Sequence, residues 1–405
     1  MKFRYESYAI IYVFLFVFSG HTPANRHLIH IDISNGPTVE LMSVWPSNGP
    51  ELSWEYKGIG NGYSSPALDS KSVFVTGEID SIGYLFSFDL KGELNWKVAY
   101  GKEWTKSYIG TRAAPTIIDN QIYVCSALGD IVCLEKTTGK ISWSINMIQD
   151  LNGKNNVYGY SMQLLIDQNV LYCLPGGRTV NIAALDRHTG NTIWTSKGLG
   201  ETAGYANPIL IDLPERKILV CYSEYSLLGV DATTGELLWS TELSLRGEIP
   251  CNTPIYEDGY LYSVGGPGNG ALKHSISNDG TSIEEMWSNL SFDTFFGGFV
   301  KNENYLYGAM NRKRALASLN IKTGEIKSTV DLRNGAIISA DGLLYYYSED
   351  GRIGLIDPNN GNLKLISSFR IKKGTREHFA HPVIHNGQLY IRHGNDLLVY
   401  NIQKS

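Results

Sequence analysis

The sequence predicts an all-β fold, an eight-bladed β-propeller whose last blade is closed by the N-terminal strand. Three observations predict it. A strand–turn–strand segment recurs: residues 85–96 read LFSFDLKGELNW, 131–143 IVCLEKTTGKISW, 182–194 IAALDRHTGNTIW and 227–239 LLGVDATTGELLW. Its spacing of about 40–50 residues, filled with short apolar runs and turn residues, is that of a ring of four-stranded blades. The third observation is an orphan: residues 51–54 (ELSW) end in a tryptophan with no repeat before it, while the last repeat stops one strand short.

The blades follow in order. Blade one opens at residues 64–67 and ends near Trp96; blade two runs from 114–116 to Trp143, and blade three from 160–162 to Trp194. Blade four runs from 207–209 to Trp239, and blade five from 253–255 to Trp287 with a longer turn at Asn278-Asp279-Gly280. Blade six opens near 297–299 and carries Ser328 at the tryptophan position; blade seven opens at 336–338 and carries Leu365 there. Strands near 381–384, 388–392 and 397–402 begin blade eight, and residues 51–54 supply its fourth strand. Such closure ties the chain ends together and removes exposed sheet edges. Seven blades is the alternative count.

Local chemistry agrees. Asp119-Asn120, Asp258-Gly259, Asp341-Gly342 and Asn386-Gly387 lie between apolar runs, where a tight hairpin needs positive φ. These aspartates read as turn formers rather than catalysts. The tryptophans read as packing between blades, since an indole buries about 150–250 Å². The two blades without one are expected to contact their neighbours more weakly.

Bulk composition narrows the function. The chain has 405 residues, 43% of them hydrophobic, and a formal charge of −5. No Lys/Arg cluster stands out, which argues against a nucleic-acid binder. Lys2 and Arg4 precede an apolar stretch at residues 9–18 and small residues at 22–24. Residues 1–24 therefore read as a signal peptide, 25–50 as a lead-in and 51–405 as one propeller domain. The expected location is periplasmic or extracellular, with no lipid-anchoring cysteine near the cleavage region and no membrane span after cleavage. Of the five cysteines, Cys125 and Cys133 flank a turn. A disulfide between them and two small buried strand residues are both open readings.

These repeats resemble the PQQ-like propeller repeat, whose signature A-L-D-x-x-T-G-x-x-x-W stands here at residues 184–194 and, with Gly229 and Val230 leading, at 229–239. The resemblance covers nearly all of the mature chain. It implies the eight-bladed architecture of the quinoprotein alcohol dehydrogenases, which is also that of the outer-membrane assembly factor BamB. The dehydrogenases imply pyrroloquinoline quinone (PQQ) beside calcium, capped by a disulfide between adjacent cysteines. This chain has no adjacent cysteine pair and no C-x-x-C-H haem site. A non-catalytic binding or scaffold protein without cofactor is therefore expected, with a PQQ-dependent oxidoreductase as the alternative.

A site is expected where loops lead into the innermost strands at the mouth of the central channel. Those loops hold Tyr63 before blade one, Trp104, Tyr108 and Arg112 before blade two, and Tyr158 and Tyr160 before blade three. Glu201, Tyr205 and Asn207 precede blade four, Glu248 and Asn252 blade five, and Phe295 and Phe296 blade six. Arg376, Glu377, His378 and His381 precede blade eight. Aromatic faces with a few polar groups suit a small molecule, a carbohydrate or a protein. Packing of these loops on one another is the competing reading. No residue is assigned as catalytic and none as a metal ligand. The histidines at 378, 381, 385 and 393 lack metal-ligand spacing, and the glycine-rich run at 265–270 reads as a long hairpin turn.

Overall fold

The computed structural model describes residues 39–243, 245, 250–375 and 379–404. They form eight four-stranded antiparallel sheets. In blades one to seven the strands run in chain order, as in blade two: Thr116–Ile118, Gln121–Cys125, Asp130–Glu135 and Ile141–Asn146. Blade eight alone breaks that order. There Glu51–Lys57 pairs with Asp396–Asn401, followed by Gln388–His393 and Val383–His385. Leu52 lies opposite Tyr400 and Trp54 opposite Val399, with a register shift between Leu52 and Trp54. The closure expected from the orphan tryptophan is present.

The middle strands of each blade are covered on both faces, so they are continuous apolar runs; Val73, Phe74 and Val75 are fully buried. The outermost strands alternate, as in Ile141–Asn146, because one side meets water. The core is divided among clusters that straddle neighbouring blades. At the tight hairpins Asp119, Asp258, Asp341 and Asn386 take φ of 54°, 51°, 49° and 47°, as their turns require.

Adjacent blades interlock through the repeat motif. The glycine of one Thr-Gly or Lys-Gly turn lies flat on the tryptophan of the preceding blade. A Cβ at Gly139 would fall 2.9 Å from the Trp96 ring, at Gly190 2.8 Å from Trp143, at Gly235 2.6 Å from Trp194, and at Gly324 2.8 Å from Trp287. Gly92 meets Trp54 in the same way, across the closure. The indole N–H often binds the same turn: Trp54 donates to Leu90 O at 3.1 Å, Trp143 to Arg187 O at 3.0 Å and Trp287 to Ile321 O at 3.0 Å.

The blades without tryptophan are not the weak point. Tyr305 takes the ring's place under Gly361, and Phe369 under Gly49. The departure falls instead after blade four. Trp239 lies over Gly229 of its own sheet, its N–H meets no partner among the described residues, and Gly280 sits on Leu213 and Ile218. The longer turn of blade five carries its glycine past the indole.

The lead-in also packs. Leu41 bridges Gln403, and the buried Trp45 meets Tyr345 and Phe369 at 5.9 and 5.5 Å. Arg392 of blade eight, 1% exposed, gives Nη1 to Ser64 Oγ and Thr76 O, Nη2 to Gly60 O and Nε to Gly394 O. Among the described residues no carboxylate pairs with it; burial lowers its pKa to about 9. Cys125 lies opposite Ile131, and Cys133 opposite Tyr123, so these two cysteines are offset by two residues and form no disulfide with each other. Residues 1–24 lie outside the described residues; among the latter no helix is long and apolar enough to cross a membrane.

The interlock sets a clean comparison. Gly190 and Gly259 have similar φ, 74° and 83°, but a Cβ at Gly259 meets nothing within 4 Å. Gly190→Ala is expected to lose about 1–3 kcal/mol more than Gly259→Ala in denaturant unfolding. Equal losses would mean that the glycine–indole contact contributes nothing beyond backbone strain.

Candidate functional site

Connections from the outer strand of one blade to the inner strand of the next all emerge on one face, together with the turns between second and third strands. The hairpins at Asp119 and Asp258 and the Thr-Gly turns lie on the other face. The two faces differ in chemistry. Among the described residues, eight of the thirteen exposed large hydrophobics lie on the mouth-face connections: Tyr108, Ile109, Ile148, Val157, Leu199, Leu245, Leu290 and Phe296. Four of the others lie on outermost strands and one in the lead-in.

At the centre of this face the aromatic residues form a belt. Phe295 meets Phe296 at 3.7 Å between ring centres, Phe296 meets Phe379 at 4.9 Å, and Phe379 meets Tyr63 at 5.6 Å. Tyr63 then meets Tyr108 at 6.4 Å, Tyr108 meets Tyr158 at 5.8 Å, and Tyr158 meets Tyr205 at 6.1 Å. The belt joins the loops leading into blades six, eight, one, two, three and four.

The loop at 103–112 is built as a rigid prong. Trp104 is buried and donates its indole N–H to Ser107 O at 2.9 Å. Arg112 turns back on its own loop, with Nη1 on Gly110 O and Nη2 on Tyr108 O at 2.8 Å, and lies 5.3 Å from the Trp104 ring centre. The tip, Tyr108, is half exposed and held at φ 56°, a left-handed conformation that is costly for a bulky side chain. Beneath it Glu103 is 3% exposed; Oε1 accepts the N–H groups of Trp104 and Ala127 at 2.8 and 2.9 Å, and Oε2 the Tyr100 hydroxyl at 2.9 Å. Burial raises its pKa to about 7 against the pull of those donors.

Several residues expected at the mouth support the loops. Tyr160 is buried and gives its hydroxyl to Pro175 O at 2.7 Å; Asn252 is buried and donates to Thr294 O at 2.8 Å. Asn207 caps the Gln163 N–H at 2.7 Å. Glu201 accepts from the Ser223 hydroxyl at 2.5 Å and from the Tyr225 N–H at 3.2 Å. Tyr205 is 9% exposed and accepts the Tyr158 N–H at 3.0 Å. His381 gives its N–H to Ser65 Oγ and turns its ring to Phe296 O at 3.4 Å; burial lowers its pKa to about 4. Glu248, Arg376, Glu377 and His378 lie outside the described residues. Sequence reasoning missed Phe379, Ile109, Val157 and Glu103. The first three were legible as apolar residues in the same loops; the burial of Glu103 was not.

A cleft of about 100 Å³ opens beside the belt, lined by Phe295, Phe296 and Phe379 with Asn311, Asn334 and Glu349. Cofactor pockets usually span about 300–1,000 Å³, several times this cleft. Among the described residues no group of three or more His, Cys, Asp or Glu is set to hold a metal.

An eight-bladed propeller with PQQ-like repeats is the class defined by this fold. The model of the family described as outer membrane protein assembly factor BamB matches residues 81–364, and the chain belongs to that family. It is 25% identical over 207 residues to the outer membrane protein assembly factor BamB of Kangiella koreensis, covering 50% of this chain and 48% of the relative. BamB from Moraxella catarrhalis superposes with a TM-score of 0.63 at 15% identity, over 87% of this chain and 98% of that one. Quinohemoprotein alcohol dehydrogenase from Comamonas testosteroni superposes at 0.62 with 10% identity, over 87% and 77%. At such identities the superpositions speak for the fold alone.

Glu103 gives the mouth a pH signature. Its folded pKa of about 7 lies above the ordinary 4.5, so its contribution to stability is full below about 4.5 and is lost as pH rises through about 7. Glu103→Gln keeps the acceptor for both N–H groups. Melting temperatures measured at about pH 5 and about pH 8 are expected to differ less in the variant than in the parent protein; an unchanged difference would show that Glu103 ionises normally.

Proposed function

We propose that this protein is a non-catalytic docking propeller that holds a partner protein on its channel-mouth face. The observation that carries the reading is the sidedness of the surface: exposed apolar side chains gather on the mouth connections, while Thr-Gly and Asp/Asn turns cover the opposite face. Apolar residues gathered on one face mark an interaction surface. A rigid prong and a belt of aromatic rings supply anchors of the kind that dominate protein interfaces. Membership of the family described as an outer membrane protein assembly factor supports a role in assembly rather than turnover. The signal-like residues 1–24 and the family description together favour action outside the cytoplasm, at the periplasmic side of an outer membrane.

The test is site-specific photo-crosslinking in the cells that make the protein. A photoreactive residue at Tyr108 or Val157, on the mouth face, is expected to give discrete protein adducts. The same residue at Thr137 or Thr233, exposed on the turn face, is expected to give none. Adducts from the turn face alone, or from neither face, would overturn the reading.

The oxidoreductase alternative has its own test. Incubating the purified protein with PQQ and calcium is expected to leave its absorbance and melting temperature unchanged. Retained quinone absorbance with dye-coupled alcohol oxidation would restore that alternative.

A further inference from the structure

The cleft between blades six and seven has chemistry more specific than the surface around it. Phe295 and Phe296 reach it from the loop leading into blade six, and Phe379 from the loop leading into blade eight. The backbones beneath meet as glycines: a Cβ at Gly297 would fall 1.7 Å from Gly335 O. Opposite the rings stand two acceptors. The Asn334 carboxamide gives its nitrogen to Asn311 Oδ1 at 3.2 Å, while its oxygen is shielded from solvent and meets no donor among the described residues. Glu349 holds Arg314 through Oε1, and among the described residues its second carboxylate oxygen meets no donor. A buried carbonyl oxygen without a donor is costly, and aromatic faces attract cations.

We infer that this cleft is a socket for one cationic side chain, arginine or lysine, of the docked partner. The inference rests on the docking reading above and names the chemistry of its anchor. The cationic head would donate to the second carboxylate oxygen of Glu349 and, with a turn of the half-buried Asn334 side chain, to its Oδ1, and its apolar stem would lie along Phe296 and Phe379. A volume of about 100 Å³ suits a side chain. The chain's net charge of −5 favours a basic partner over an acidic one. A sugar would also find aromatic faces, but it brings acceptors along with its donors, and the open positions opposite the rings are acceptors.

Saturation-transfer NMR on the full chain decides it, with N-acetyl-arginine amide, N-acetyl-leucine amide and methyl glucoside as probes. The arginine probe is expected to bind and the other two are not. Phe296→Ala and Asn334→Leu are each expected to weaken binding about tenfold, the scale of one charge-assisted hydrogen bond or one desolvated cation–ring contact. Phe296 is 41% exposed, so its variant folds and suffices if Asn334→Leu does not. Equal binding of the arginine and leucine probes, binding of the glucoside, or arginine binding indifferent to Phe296→Ala would overturn the socket. Those results with mouth-face cross-links intact reject the socket and leave the docking face standing; missing cross-links reject the docking face itself.

Discussion

Everything in this molecule depends on the closure of the ring. No blade can cover both of its faces alone, so each requires a neighbour on each side. At the junction of the chain ends that requirement falls on strands far apart in sequence: Glu51–Lys57 pairs with Asp396–Asn401. Trp54 then rests under Gly92 of blade one, as Trp96, Trp143, Trp194 and Trp287 rest under the glycines that follow them. Arg392 ties the same junction from inside, reaching Gly60, Ser64 and Thr76. The buried guanidinium is stable here because carbonyl and hydroxyl oxygens meet its N–H groups on both branches.

Closure also explains the division of labour between the faces. The glycine–ring contacts hold the blades near their periphery, and the mouth connections bind one another across blades through Asn252, Tyr205 and Asn207. The mouth residues that remain outward, Tyr108, Ile109, Val157 and Phe296, are carried on a rigid frame. Rigid anchors lose little conformational freedom on binding. Tyr108 shows the cost of this arrangement, since its left-handed backbone is held only by the Trp104–Arg112 framework around it.

The fold was legible because its signal is periodic. Seven glycine turns, five of them leading into a tryptophan, with a sixth tryptophan displaced to the N-terminus, define both the number of blades and the closing strand. Exceptions to the interlock were not legible. Trp239 follows its glycine with the same spacing as Trp194, yet it lacks a docking turn because the change lies in the next blade, at Asn278-Asp279-Gly280. Nor does composition reveal that Tyr305 and Phe369 replace the missing indoles, since both are ordinary strand aromatics until the sheets are laid side by side. The mouth was legible as a set of loops but not as a surface. Trp104, Tyr160 and Asn252 share those loops with Tyr108 and Phe296, and only packing separates buried supports from exposed anchors. Asn334 and Glu349 come from other turns, and no local motif joins them to Phe296.

Native-state hydrogen exchange tests the closure most directly. Amides within Glu51–Lys57 and Asp396–Asn401 are expected to exchange only through global unfolding, at the same free energy as the middle strands of blade two. Exchange of that pair through a local opening, while blade two stays protected, would show that the ring is held without its terminal strand and would contradict this account.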